Sequence, residues 1–165
     1  MPIIGNGDIA SVLEDREGFV FFASGVSNSR ETDEEQYKKE KRLLMSQDTT
    51  KHLVYFSSLG VFERDTRYFK HKKVMENIVK NYFDNYTIVR LGNITWGKNP
   101  NTIINFMKNQ VKKGEPLEIR DEYKYIVDKD EFLYWIKLIP EWSCEMNIPG
   151  RRLKVKEVVE LYVNT

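Results

Sequence analysis

Residues 52–79 read HLVYFSSLGVFERDTRYFKHKKVMENIV, and this stretch decides the fold. It opens on His52–Ser57, a run dominated by apolar and aromatic residues of high strand propensity. Because that run does not alternate with polar residues, it implies a strand covered on both faces. A helix follows over Tyr68–Phe83, with Met75, Ile78, Val79 and Tyr82 on one face. Thr87–Leu91 (TIVRL) is the next strand. Parallel neighbours need a long crossover, and a helix supplies it, so strand–helix–strand with buried strands predicts a parallel sheet.

The same alternation extends in both directions. Upstream, Phe19–Ala23 (FVFFA) is another unbroken apolar run. Residues 31–47 between the two strands are strongly charged but rich in helix formers, and Tyr37, Leu44 and Met45 give them a narrow apolar stripe. At the start, Ile3-Ile4 leads into GNGDIA (5–10), and Ile9, Val12 and Leu13 predict a helix beginning near Asp8. Downstream, Asn101 is the expected N-cap of a helix through Ile103, Phe106, Met107, Gln110 and Val111, closed by Gly114. Tyr123–Val127 reads as a short strand. Asp128 with Glu131 reads as a capping box for a helix through Phe132, Leu133 and Ile136, stopped at Pro140. A last helix carries Val155, Val158, Val159 and Tyr162. The prediction is an α/β fold with a mostly parallel sheet and helices on both faces, in a single domain of residues 1–165.

Composition narrows the function. The 165 residues carry 26 basic and 25 acidic side chains, a formal net charge of +1, which argues against a general nucleic-acid or membrane-surface binder. The basic clusters at Lys70–Lys73 and Arg151–Lys156 read as solvated faces. Cys144 is the one cysteine, so no disulfide framework forms and a reducing, cytoplasmic setting is expected. His52 and His71 lack Cys or acidic partners at ligand spacing, so no metal site is expected. No apolar run reaches the ~20 residues that span a bilayer, and no signal peptide is read.

Two groups of residues can carry chemistry. In a strand–turn–helix, Gly5 allows the tight turn, Gly7 lets the backbone approach a phosphate, and the small Ala10 lets helix and strand pack. A plain β–α turn with two glycines explains the same pattern. Tyr68 and Lys72 are four residues apart and share a helix face. A phenol is a poor acid–base at neutral pH, and a neighbouring ammonium favours its charged form. A serine at the end of the preceding strand can hold a substrate oxygen beside the phenol. Tyr-x-x-x-Lys by chance is the competing explanation in a chain with 9 Tyr.

In order along the chain, YFSSLGVF (55–62), YFKHKKVMENIV (68–79) and TIVRLGNITWG (87–97) resemble the extended short-chain dehydrogenase/reductase family. INFMKNQVKKGEPLEI (104–119), YKYIVDKDEFLYWI (123–136) and MNIPGRRLKVKEVVELY (146–162) continue the likeness, which covers roughly residues 1–25 and 50–162. The resemblance implies a minimal Rossmann-like fold, NAD or NADP as cofactor, and a sugar nucleotide as ligand for an epimerase, dehydratase or reductase. It implies Tyr68 as acid–base, Lys72 as its ribose-binding partner and Ser58 as the catalytic hydroxyl, with neighbouring Ser57 the second choice. It places Gly5, Asn6, Gly7, Asp8, Ile9 and Ala10 on the phosphate turn. Ala23, Ser24 and Gly25 fall along the cofactor, and Leu91, Gly92 and Asn93 pass the nicotinamide end. Arg90 reads as structural.

The chain departs from that pattern. The family places two further strands between the glycine turn and FVFFASG, and the second ends in the residue that selects the ribose. Here about fifteen residues separate Gly7 from Ala23, and Gly25-Val26-Ser27-Asn28 holds no acid. Two strands are therefore read as missing, leaving the first strand at a sheet edge and the adenosine pocket truncated. The link from Ser58 to Tyr68 is short, and the C-terminal substrate region is reduced to residues 96–149. A homo-oligomer is expected, because an open edge strand invites a partner. Two alternatives stay open beside the redox enzyme: a non-redox lyase or isomerase binding a smaller nucleotide, and a non-catalytic binding or regulatory module.

Overall fold

In the computed structural model, which describes residues 2–164, five parallel strands form one sheet. They are β1 (Ile3–Ile4), β2 (Phe19–Phe22), β3 (His52–Ser58), β4 (Asn85–Leu91) and β7 (Cys144–Ile148), side by side in that order. Strand alternation sorts their side chains into two cores. Phe19, Phe21, Val54, Phe56, Val89 and Leu91 point to one face, and Val20, Phe22, Leu53, Tyr55 and Ile88 to the other. Helices α1 (Glu34–Met45) and α2 (Arg67–Tyr82) cover the second face with Leu44, Met75, Ile78 and Val79. Helix α4 (Lys129–Lys137) covers the first with Phe132 and Ile136. This is the Rossmann-like layering the sequence predicts, with β1 at the edge.

A smaller sheet joins β5 (Asn93–Ile94), β6 (Tyr123–Val127) and β8 (Arg151–Lys154), with β6 parallel to β5 and antiparallel to β8. Helix α3 (Ile103–Lys112) and the C-terminal α5 (Val155–Val158), which runs on into a π-helical turn at Val159–Val163, pack together beside it. Residues 129–148, by contrast, return to the main sheet through α4 and β7.

Four local expectations need correction. The helix expected from Asp8 is a single 3-10 turn, Ala10–Val12. Ile9, Val12 and Leu13 do pack on the first core, but Glu14–Glu17 are all charged and give a second turn nothing to bury. On α2, Tyr82 is 56% exposed, because Phe83 leaves the helical conformation and fills the core position instead. The cap of α3 is Thr102, whose hydroxyl accepts from the Asn105 N–H, and Ile104 and Met107 are buried while Phe106 and Val111 are exposed. Asp128 stands at the N-cap of α4 without a capping box. Its carboxylate accepts from the Tyr162 hydroxyl and pairs with Arg151, while Glu131 accepts from the Trp135 indole.

The first crossover is unlike the next two. From β1 to β4 each strand lies one place further in the same direction. The β2–β3 and β3–β4 connections cross on the α1/α2 face, but the β1–β2 connection packs Ile9 and Leu13 on the opposite face. A crossover on the other face with the same step has the opposite hand, and almost all parallel connections share one hand.

Candidate functional site

The site lies at the C-terminal ends of β1–β4, where α/β sheets bind their ligands. Two clefts meet there. The first, about 280 Å³, is lined by Asn6, Gly7, Asp8 and Ile9 from the turn after β1, by Ala23, Ser24 and Gly25 from the loop after β2, and by Lys72. The second, about 610 Å³, is lined by Ser57 and Ser58 at the end of β3, Tyr68 on α2, and Leu91, Gly92 and Asn93 after β4. Ile9 and Ile94 line both, so the clefts adjoin. Every residue singled out from the sequence lines one of them except Gly5 and Ala10. Gly5 sits behind the first with φ +119°, and a Cβ there would fall 2.5 Å from the Ala23 carbonyl oxygen. Ala10 is buried in the core below.

The two serines are held differently. Ser57 is buried and donates to Glu76 Oε2 at 2.6 Å, so its proton is committed to the interior. Ser58 caps the turn Leu59–Phe62, its Oγ accepting from the Gly60 N–H at 3.1 Å. That bond leaves the Ser58 O–H free to donate into the second cleft.

Tyr68 is half-buried at the first turn of α2, its ring edge-on to Phe69. One helical turn on, the Lys72 Nζ lies 5.5 Å from the Tyr68 ring centroid and 5.3 Å from that of Tyr55. It donates to the Phe56 carbonyl at 3.4 Å. Burial works against the Lys72 ammonium, but attraction to the ionised forms of Tyr55 and Tyr68 and to the Glu40 carboxylate outweighs it and holds its pKa above the ordinary lysine value. Burial pushes the Tyr55 phenol up, so it stays neutral.

Glu40 is a functional-site neighbour that the sequence reading missed. It is 4% exposed beneath the Gly25 loop, accepts from the Val26 N–H at 3.2 Å and pairs with His71 Nε2 at 3.0 Å. The missed signal is its spacing: Tyr37, Glu40 and Leu44 form the buried stripe of α1, and a charge on that stripe needs a partner. Burial alone would raise the Glu40 pKa, but Lys72, His71 and the Val26 N–H bring it below the usual carboxylate value. A carboxyl with a depressed folded pKa stabilises fully above its unfolded pKa, and that contribution is lost as pH falls through the lower folded value. Glu40→Gln is therefore expected to lower stability at pH 7 and to flatten its decline below about pH 4.3, read by urea denaturation across pH 3–7. An unchanged acid limb would show that Glu40 is not held in this way.

The turn after β1 is also tied to the strand-to-helix loop after β5. The Asp8 carboxylate accepts from the backbone N–H of Lys98 at 2.9 Å and of Asn99 at 3.0 Å, and the Trp96 indole donates to the Asp8 carbonyl at 3.0 Å. Among the described residues no cluster of three metal-ligating side chains occurs, and no helix is long and apolar enough to cross a membrane.

No protein-family model and no curated protein matches the chain. Solved structures do. The Bordetella bronchiseptica enzyme WbmG, solved in complex with NAD, is 16% identical with a TM-score of 0.67 over 87% of this chain and 54% of its own. The UDP-N-acetylglucosamine 4-epimerase of Methanobrevibacter ruminantium, in complex with UDP-N-acetylmuramic acid, is 14% identical with a TM-score of 0.63 over 94% and 62%. The UDP-glucuronic acid 4-epimerase of Bacillus cereus, in complex with UDP-glucuronic acid and NAD, is 13% identical with a TM-score of 0.62 over 83% and 55%. At these identities the likeness is one of fold, and the chain spans between half and two-thirds of the length of these enzymes.

Proposed function

We propose that the chain carries the acid–base site of an NAD(P)-type epimerase, dehydratase or reductase acting on a sugar nucleotide. One observation carries this reading: Tyr68 and Ser58 line the second cleft, Lys72 lines the first, and the clefts share Ile9 and Ile94. A cofactor lodged in one cleft would therefore meet a substrate lodged in the other beside Ile9 and Ile94, with Tyr68 and Ser58 on the substrate side and Lys72 on the cofactor side. The similar folds solved with NAD and UDP-sugars support the choice of ligand class.

In this reading the Tyr68 Oη takes the proton from a sugar hydroxyl and returns it. Lys72 stabilises negative charge on that oxygen, and its ammonium is held charged by Glu40. Ser58 donates its free O–H to the same sugar oxygen and orients it. A bound nicotinamide supplies the hydride acceptor and donor. Gly7, Ala23, Ser24, Gly25 and Lys72 would hold its near side, and Leu91 and Asn93 its nicotinamide end.

The turn after β1 leaves room for the phosphates of such a cofactor. At Gly7 nothing lies within 4 Å of where a Cβ would stand, so a ligand can approach the backbone there. The adenosine half finds less: among the described residues no strand lies outside β1. That edge favours a second reading, a non-redox lyase or isomerase that binds a smaller nucleotide at the same turn and uses Tyr68 as its base.

Ligand-dependent melting tests the choice. A ligand at a hundredfold excess over its Kd stabilises the native state by about 2.7 kcal/mol. In a domain of this size that raises Tm by roughly 5–10 °C. Such a rise with NAD or NADP is expected. A rise with UDP or ADP but none with either dinucleotide would select the second reading, and no rise with any of them at millimolar concentration would remove both.

A further inference from the structure

Residues 96–99 form a strap tied across the mouth of the first cleft. On one side Lys98 and Asn99 give their backbone N–H groups to the Asp8 carboxylate, and Trp96 donates to the Asp8 carbonyl. On the other side Asn99 Nδ2 donates to the Ser27 carbonyl, in the loop after β2, at 3.2 Å. From α3, Asn105 Nδ2 reaches the carbonyls of Gly97 at 3.1 Å and Asn99 at 2.9 Å. Gly97 has φ +98°, and a Cβ there would stand 2.0 Å from Asp8 Cγ, so the strap closes this tightly only with glycine at that position. Successive N–H groups after a positive-φ residue make an anion-binding concavity. Here the chain fills it with its own carboxylate.

We propose that Asp8 is a specificity gate: its carboxylate holds the strap closed over the glycine turn and repels a pyrophosphate from it. This inference rests on reading the first cleft as the dinucleotide site. Asp8 and Gly7 line that cleft together, so a phosphate seated on the turn brings negative charge beside a carboxylate held by two backbone N–H groups. Two like charges at short range in a half-shielded cleft repel more strongly than in water. The reduced form of nicotinamide riboside, which carries neither phosphate nor charge, meets no such repulsion. The gate admits a pyrophosphate, on a dinucleotide or on a free diphosphate, only when the strap lets go of Asp8.

Asp8→Asn keeps the size and removes the charge. Its amide oxygen can accept from one N–H of the pair, but its NH2 group cannot accept from the other. Calorimetric titration of wild type and variant with NAD, ADP and reduced nicotinamide riboside tests the gate, alongside hydrogen exchange at Lys98 and Asn99. The variant is expected to bind NAD and ADP about tenfold more tightly, which corresponds to about 1.4 kcal/mol. The affinity for reduced nicotinamide riboside should be unchanged, and exchange at residues 98–99 faster. If Asp8→Asn does not fold, Asp8→Ser carries the same expectation. NAD binding to wild type that does not tighten in either variant overturns the gate and leaves the proposed function standing. Failure of NAD and ADP to bind any of the proteins overturns both.

Discussion

Tyr68→Phe is expected to lower turnover by about 10²–10⁴-fold, the range that a positioned acid–base contributes, with little change in melting temperature. The change removes one oxygen from a half-buried ring and leaves its edge-on contact with Phe69 intact. Helix α2 keeps its Thr66 cap and its buried stripe through Met75 and Val79, so the backbone around position 68 should not move. KM should change far less than kcat, because the phenol acts on the proton rather than on the bulk of the ligand. The measurement is steady-state turnover on any nucleotide sugar that the wild-type protein proves to convert, with melting curves of both proteins. Ser58→Ala makes a useful companion, since its hydroxyl is aimed at the same cleft and its loss should have a smaller effect. Full activity in Tyr68→Phe would take the chemistry away from this site, whatever the cofactor.

What could be read from the sequence follows the range of the interactions concerned. Strands β2, β3 and β4 were legible because burial on both faces writes unbroken apolar runs, and β6 was legible over its whole length, Tyr123–Val127. Tyr68 and Lys72 were legible because one helical turn separates them. The short helix after β1 was not, since Ile9, Val12 and Leu13 satisfy the period for one turn and periodicity does not say where it stops. Asp8 was placed on the cleft, but its partners lie some ninety residues away in a loop with no pattern of its own. Glu40 was hidden in a helix whose charge content suggested a largely exposed element. Its burial follows from His71 and the Val26 N–H, and neither is visible from α1 alone. Long-range polar pairing leaves little periodic trace, and much of the candidate site is built from it.

The same kind of pairing fixes the floor of the second cleft, and breaking it should have the largest effect on stability. Arg90 on β4 is 7% exposed and Glu76 on α2 is 5% exposed, and they pair at 2.6 Å. Arg90 also pairs with Glu145 on β7, and Ser57 on β3 donates to Glu76. The Phe62 ring lies over the guanidinium, 4.8 Å from its carbon. This cluster ties α2 to three adjacent strands, and through Ser57 and Phe62 it reaches the lining of the second cleft. Arg90→Met leaves the Glu76 carboxylate buried with only the Ser57 hydroxyl beside it, and removing one partner of a buried pair costs about 3–5 kcal/mol. For a domain of this size that lowers Tm by roughly 6–20 °C. The double variant Arg90→Met with Glu76→Met removes both charges and fills the space with apolar atoms, so it should be more stable than Arg90→Met alone. Urea denaturation of the two single variants and the double variant reads the coupling. Destabilisations that simply add would show that the pair does not act as a unit. A double variant that recovers stability but not activity would separate the two roles of the cluster, because the apolar pair would hold α2 on the strands without the Glu76 bond that fixes Ser57 beside Ser58.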